Sequence, residues 1–330
     1  MTAFKQKLKN VSGIMWASLL MVVLMVIFIP NYSKLLNFNN ILKNSAILVI
    51  VCVGMTFSIL SAQIDLSIGG VMTSSAMIGA MYIARYEEPT ILQIIIAFLI
   101  GALVGAAFGL ANGVLIGVFK YNYWLVTFAT MSMGYGLAQV VTKGTIVAGF
   151  TKTFRNVADG KLFGGLTTVI LIAVIILVVM IFVLSRTRFG MHIYAIGDSE
   201  QCSEQSGVSV YKVRMAIYVI SGILAGLGGM LLVSKTNSAS PTIGNGYEFD
   251  AIAAVIIGGT PFEGGKGGLG GTIVGAIIIQ AFKSGLQLMG VSTYWQQTLI
   301  GVFILVIIVA DVISERRKTV KKTRRVYRHE

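Results

Sequence analysis

Apolar and polar positions along this chain are sorted into long blocks rather than into short alternations. Apolar segments fall at about 14–29, 44–61, 69–84, 91–118, 123–142, 166–185, 215–234, 249–260, 271–289 and 296–312. A helix rising ~1.5 Å per residue needs about 20 apolar residues to cross the hydrocarbon core of a bilayer. The pattern therefore predicts an all-α, polytopic membrane protein with about ten transmembrane helices, two of them short or broken. Polar residues gather between these blocks. The main island is RTRFGMHIYAIGDSEQCSEQSGVSVYKVR, Arg186–Arg214, set between two of the most apolar runs.

Ten crossings put both termini on one side, and the basic residues say which side that is. With the N-terminus inside, seventeen of the 26 Lys and Arg residues lie in inner segments and eight in outer ones, Lys283 being inside an apolar run. This bias follows the positive-inside rule. It places both termini and the Arg186–Arg214 island in the cytoplasm, and the polar loop 143–165 outside. No loop is long enough to form a soluble domain. Residues 1–330 thus read as one transmembrane domain, with a cytoplasmic N-terminus (1–13), a cytoplasmic loop (186–214) and a basic cytoplasmic tail (313–330).

Composition adds to this picture. The chain is 55% hydrophobic and 12% charged, with a mean hydropathy of +0.83, whereas a soluble domain carries about 25% charged residues. The net charge of +13 raises nucleic acid as a partner, but eight of the basic residues crowd into the last fifteen positions, directly after an apolar helix. Such a tail suits anionic lipid headgroups, and no aromatic-interleaved basic face supports nucleic-acid binding. Cys52 and Cys202 are too few and too differently placed for a disulfide framework. The start, MTAFKQKLKN and then an apolar run, has the outline of a signal peptide. The run is long and no A-x-A-like site follows it, so it reads as a first transmembrane helix.

Few residues could carry chemistry. In GALVGAAFGLANGVLIG, Gly101, Gly105, Gly109, Gly113 and Gly117 recur every four residues, which on a helix makes a groove for close backbone packing. Asn112 beside them is polar enough to face a cavity or a neighbouring helix. Gln63 and Asp65 fall at a break between the second and third segments. Glu248 and Asp250 open the short eighth one. Charged and polar groups within a bilayer turn inward or toward water. Asp65 and Asp250 read either as helix N-caps or, with Gln63, Asn112 and Glu248, as residues lining a transport path. Lys283 must snorkel to the interface or find an interior partner such as a backbone carbonyl. GGTPFEGGKGGLGG contains G-x-G-x-x-G but lies between membrane helices, without the strand a dinucleotide fold requires, and it lacks the Lys-Ser/Thr of a P-loop. It reads as a flexible cytoplasmic turn, leaving the chain without a nucleotide site of its own. His192 and His329 sit in no metal or nucleophile cluster, so no metal site or catalytic residue is expected.

SRTRFGMHIYAIGDSEQCSEQSGVSV, YEFDAIAAVIIGGTPFEGGKGGLGGTIVGAII, STYWQQTLIGVFILVIIVAD and AQIDLSIGG together resemble the permease subunits of ribose/simple-sugar ABC importers, over residues 40 to 312. Branched-chain amino-acid permeases are cousins, but Asp-Leu-Ser-Ile-Gly and Tyr-Trp-Gln-Gln resemble the sugar branch more. The resemblance implies a multi-pass protein of the bacterial cytoplasmic (inner) membrane, paired with an identical or paralogous second permease. Helices two to five and seven to ten would line a path at the dimer interface. It implies ABC ATPase subunits, which bind ATP-Mg, on the cytoplasmic side and a periplasmic or lipid-anchored sugar-binding protein outside. The loop after helix six would carry the coupling helix that docks on the ATPase. Here that helix maps to Gly197–Gly207, with Asp198, Glu200, Ser203 and Glu204 as exposed candidates. Asp198 or Ser199 can cap it, and Gly207 can stop it. The family pattern has Gly-Asn and Ala-Ala where this chain has Asp198-Ser199 and Cys202-Ser203. That leaves docking intact in kind but marks the surface met by the ATPase as distinctive. A branched-chain amino-acid or nucleoside ABC permease is the nearest alternative, and an ion-coupled carrier a more distant one.

Overall fold

A computed structural model describes residues 13–162 and 167–302, with 305, 306 and 309. Residues 1–12 of the expected N-terminal segment and all of the basic tail (313–330) lie outside these residues.

The most buried of the membrane-length helices is also the most central. From Ala46 onward helix α2 (Leu35–Leu60) carries no charge and is buried on every side, and 83% of its best membrane-length window is buried inside the protein. A helix with no polar face belongs in an interior. Helix α1 (Gly13–Phe28) precedes it, and α3 (Ile68–Ile83) follows after a break at residues 61–67. Helix α4 (Ile91–Gly113) continues into a π-helical turn, Val114–Val118, and α5 (Tyr123–Thr142) comes next. Thr90 and Gln93 close a capping box at the start of α4, satisfying backbone donors that have no partner within the helix.

After α5 the chain forms a two-residue strand β1 (Val147–Ala148), the short helix α6 (Lys152–Asp159) and the long apolar α7 (Thr168–Arg186). The island holds α8 (Arg188–Asp198) and α9 (Glu200–Gln205). Then follow α10 (Val210–Thr236), strand β2 (Ser238–Ala239), α11 (Tyr247–Ile257), α12 (Leu269–Leu288) and α13 over 293–302. Six helices among the described residues are long and apolar enough to cross a membrane: α2, α4 with its π-helical extension, α5, α7, α10 and α12. Ser18–Phe28 and α3 are apolar but shorter. Windows in α4, α5 and α7 are only 28%, 28% and 17% buried, against 72% in α10. The first three present apolar faces outward, while α10 joins α2 at the centre.

Some boundaries differ from the hydropathy pattern. Helix α2 starts at Leu35 and α10 at Val210, because their first turns mix apolar residues with polar and charged ones (Asn37, Asn39, Asn40 and Lys43; Lys212 and Arg214) that pull a hydropathy boundary inward. The loop 143–165 contains structure of its own. Strand β1 pairs antiparallel with β2, and α6 buries Phe154 and Ala158 against α10, where Ser234 Oγ donates to the Phe154 carbonyl at 2.7 Å.

Helices α4 and α10 meet along the glycine series. A Cβ on Gly105 would stand 2.0 Å from the Gly222 carbonyl oxygen, and one on Gly222 would stand 2.1 Å from that of Gly105. Gly101 faces Met230 and Gly226, Gly109 faces Tyr218, Gly113 faces Met215, and Gly117, in the π-helical turn, faces Tyr211. Small residues on both sides let two backbones touch where water gives no drive to association.

Candidate functional site

The polar island is a folded arm. Helix α8 starts on Thr187, whose hydroxyl accepts from the Gly190 amide at 3.3 Å, and Ser199 caps α9 through the Cys202 amide at 3.2 Å. Gly207 ends this arm with φ of +82°, a left-handed value that suits glycine. Phe189 packs edge-on against Phe57 of α2, with ring centres 6.2 Å apart. Gly197 lies so near the end of α2 that a Cβ there would come within 1.9 Å of the Leu60 carbonyl oxygen.

The glycine-rich turn after α11 closes the same joint. The Gly265 amide donates to that Leu60 carbonyl at 2.9 Å, and Tyr194 of α8 donates its hydroxyl to the Gly267 carbonyl at 2.9 Å. Burial pushes the Tyr194 phenol above its ordinary pKa. The turn was expected to be flexible. Its amide and carbonyl are instead pinned to α2 and α8, the two elements beside it.

Two carboxylates of α9 differ in setting. Glu200 takes a two-pronged pair of bonds from Arg214 of α10, at 2.7 and 2.6 Å, with the arginine side chain only 12% exposed. Glu204 is exposed and faces Lys120 at 3.4 Å. Asp198 is exposed as well. Ser203, expected at the surface, is 4% exposed, because on a six-residue helix one face must turn back onto the body. Cys202 beside it is exposed. A cavity of about 440 Å³ opens between this arm and the α2–α3 break, with Gln63, Lys120, Asp198, Glu200 and Arg214 in its wall.

The break itself holds a buried polar cluster. Asp65 is 2% exposed and accepts from the Ser67 amide at 3.0 Å, the Ser67 hydroxyl at 2.5 Å and the Ser221 hydroxyl of α10 at 2.7 Å. Asn112 of α4 donates to the Ser67 hydroxyl at 2.9 Å. The N-cap position of α3 is Ser67, so Asp65 does not cap the helix. It stands two residues earlier and ties three elements together. Gln63 and Asn112 each keep a buried oxygen without a hydrogen-bond partner among the described residues.

Asp250 does not cap either. Gly246 holds the N-cap of α11, and Asp250 lies within the first turn, ion-paired to Lys283 of α12. Lys283 thus meets a carboxylate, not a backbone carbonyl. Glu248 is buried two residues before Asp250, with the Tyr135 hydroxyl of α5 donating to it at 3.5 Å. The structure gathers Gln63, Asp65 and Asn112 at one place and Glu248 and Asp250 at another. The sequence reading missed Ser67, Ser221, Tyr135 and the pairing roles of Arg214 and Lys283. Arg214, a charge at the boundary of an apolar run, and Lys283, a charge inside one, carried local signals. Among the described residues, no group of three or more His, Cys, Asp or Glu could hold a metal ion.

Several membrane-length helices, a polar arm locked to the central helix and buried polar clusters where helices break define a multi-pass membrane transport protein. Over residues 37–308 the chain matches the family described as branched-chain amino acid transport system / permease component, and it belongs to that family of transport permeases, which is not an enzyme family. It is 37% identical over 294 residues to the ribose import permease protein RbsC of Bacillus subtilis, covering 88% of this chain and 89% of that one. It is 32% identical to the galactose/methyl galactoside import permease protein MglC of Haemophilus influenzae, covering 88% and 90%. It is 31% identical to the D-allose transport system permease protein AlsC of Escherichia coli, covering 83% of each. No solved structure matches the chain.

Proposed function

We propose that this chain is the membrane-spanning permease subunit of an ABC importer that carries a monosaccharide, a pentose or hexose, across the bacterial inner membrane. The observation that carries the reading is that the sugar permeases above align over more than four-fifths of both chains, so similarity extends through the arm and through α11. The chain would act as one transmembrane domain with ten crossings, both termini cytoplasmic, and would pair with a second permease. An external binding protein would deliver the sugar. ATP-Mg would be bound and hydrolysed on a separate ATPase subunit, with no nucleotide or catalytic site on this chain.

The arm is the proposed ATPase dock. Asp198 and Glu204 would face the ATPase, Glu200 and Ser203 would hold α9 to the body, and Gly197 and Gly207 would bound the docking segment. The family description names branched-chain amino acids, and transport of these is the second reading. Uptake of labelled D-ribose, D-galactose and D-allose into liposomes holding this chain, its ATPase subunit and its binding protein tests the proposal. ATP-dependent accumulation is the expected result. Uptake that persists on an ion gradient, without ATP or the ATPase subunit, would overturn it.

A further inference from the structure

A cavity of about 320 Å³ lies between the start of α11, Lys283 of α12 and the beginning of α13. Asn245, Phe249, Asp250, Lys283, Gln296 and Gln297 line it. Among the described residues its only charged ones are Asp250 and Lys283, and these are paired with each other. The wall therefore carries no net charge, and each charge already has a partner. What it offers a solute is hydrogen bonding. The Gln296 amide nitrogen donates to the Val291 carbonyl at 2.8 Å. The Asn245 and Gln297 side chains have no hydrogen-bond partner among the described residues. Both side chains are exposed, so their amides are open to water or to a polar ligand. Gly246 also lines the cavity, with a left-handed φ of +86° that suits glycine.

We propose that this cavity is a sugar-binding subsite on the transport path, which receives a neutral monosaccharide. The inference rests on the sugar-importer reading and adds a place to it. Sugar hydroxyls donate and accept at once, and a carboxamide does both. Phe249 is 49% exposed and presents an aromatic surface to the C–H face of a sugar ring. The cavity is within the size range that holds a small ligand, about 300–1,000 Å³. An ion or a zwitterion would have to break the Asp250–Lys283 pair to find a counter-charge, whereas a neutral polyol leaves it closed.

The test uses the complete transporter in liposomes, with D-ribose, D-galactose and D-allose as probes, and reads sugar taken up per ATP hydrolysed. Gln297→Leu and Asn245→Leu each remove an amide that could bond the sugar, at exposed positions, and should insert normally. Uptake per ATP is expected to fall about two- to tenfold in each, the size of one lost hydrogen bond. Gln297→Asn, which keeps the amide, should recover most of the loss. Unchanged uptake per ATP in both leucine variants would sink the subsite alone, as would a parallel fall of uptake and hydrolysis. No uptake of any of the three sugars by the unaltered transporter would sink the importer reading, and the subsite with it.

Discussion

Gly197, in the last turn of α8, lies directly against the carbonyl of Leu60, the last residue of α2. The same carbonyl accepts from Gly265. One backbone oxygen thus joins the arm, the central helix and the glycine-rich turn. Three residues beyond Leu60 the chain reaches Gln63 and then the Asp65 cluster. Under the proposed function, a displacement of the arm would reach the α2–α3 break, where buried polar groups bridge to α4 and α10.

Gly197→Ala tests that joint. The new Cβ would stand 1.9 Å from the Leu60 oxygen and 2.5 Å from the Gly265 nitrogen, both backbone atoms that cannot swing aside. Overpacking of this kind costs about 1–3 kcal/mol, enough to shift the arm's docked equilibrium by about 5- to 150-fold. The expected outcome is a transporter that inserts normally and still hydrolyses ATP, but takes up several-fold less sugar per ATP. Uptake per ATP equal to the unaltered protein would show that the contact transmits nothing.

Glu200 and Glu204 are one helical turn apart and are expected to behave differently. Glu200 satisfies a largely buried arginine through two bonds, and its removal leaves that charge without its partner. Discounted for the partial exposure of Glu200, Glu200→Ala should lower thermal stability in detergent by about 1–2 kcal/mol. Glu204 pairs only with a well-exposed lysine, a contact worth about 0–1 kcal/mol. Glu204→Ala should leave stability almost unchanged while weakening ATPase binding, measured by co-purification. Loss of stability in the Glu204 variant with normal ATPase binding would reverse the assignment.

Much of this was legible in the sequence because a bilayer imposes a coarse code. Apolar runs located the membrane-length helices, and a glycine every fourth residue marked α4. Ser199 and Gly207 announced α9 through cap chemistry that acts within a few residues. What could not be read depends on approach between distant segments. Nothing near Lys283 names Asp250, 33 residues earlier, and nothing near Asp65 names Ser221, 156 residues later. Ser203 was misplaced because the face that a short helix turns inward is set by the body beneath it. Helix α6 was missed because eight amphipathic residues in a polar loop do not rise above their surroundings.

The seam between α4 and α10 gives the most direct test of the packing. At Gly105 a Cβ would fall 2.0 Å from the Gly222 carbonyl oxygen, whereas at Gly136 of α5 nothing lies within 4 Å. Both are helical glycines, so alanine gains the same intrinsic helix propensity at either site, about 1 kcal/mol. The two substitutions then differ only in what the new methyl meets. Gly136→Ala should be neutral or slightly stabilising. Gly105→Ala must push two backbones apart, at about 1–3 kcal/mol, and should lower the melting temperature and the yield of folded protein in detergent. Gly222→Ala should do the same, since its Cβ meets the Gly105 carbonyl from the other side. The double variant should lose less than the sum, because helices already parted by one methyl leave room for the second. Additive losses, or equal melting temperatures for the Gly105 and Gly136 variants, would mean that the seam is looser than the backbone contacts require.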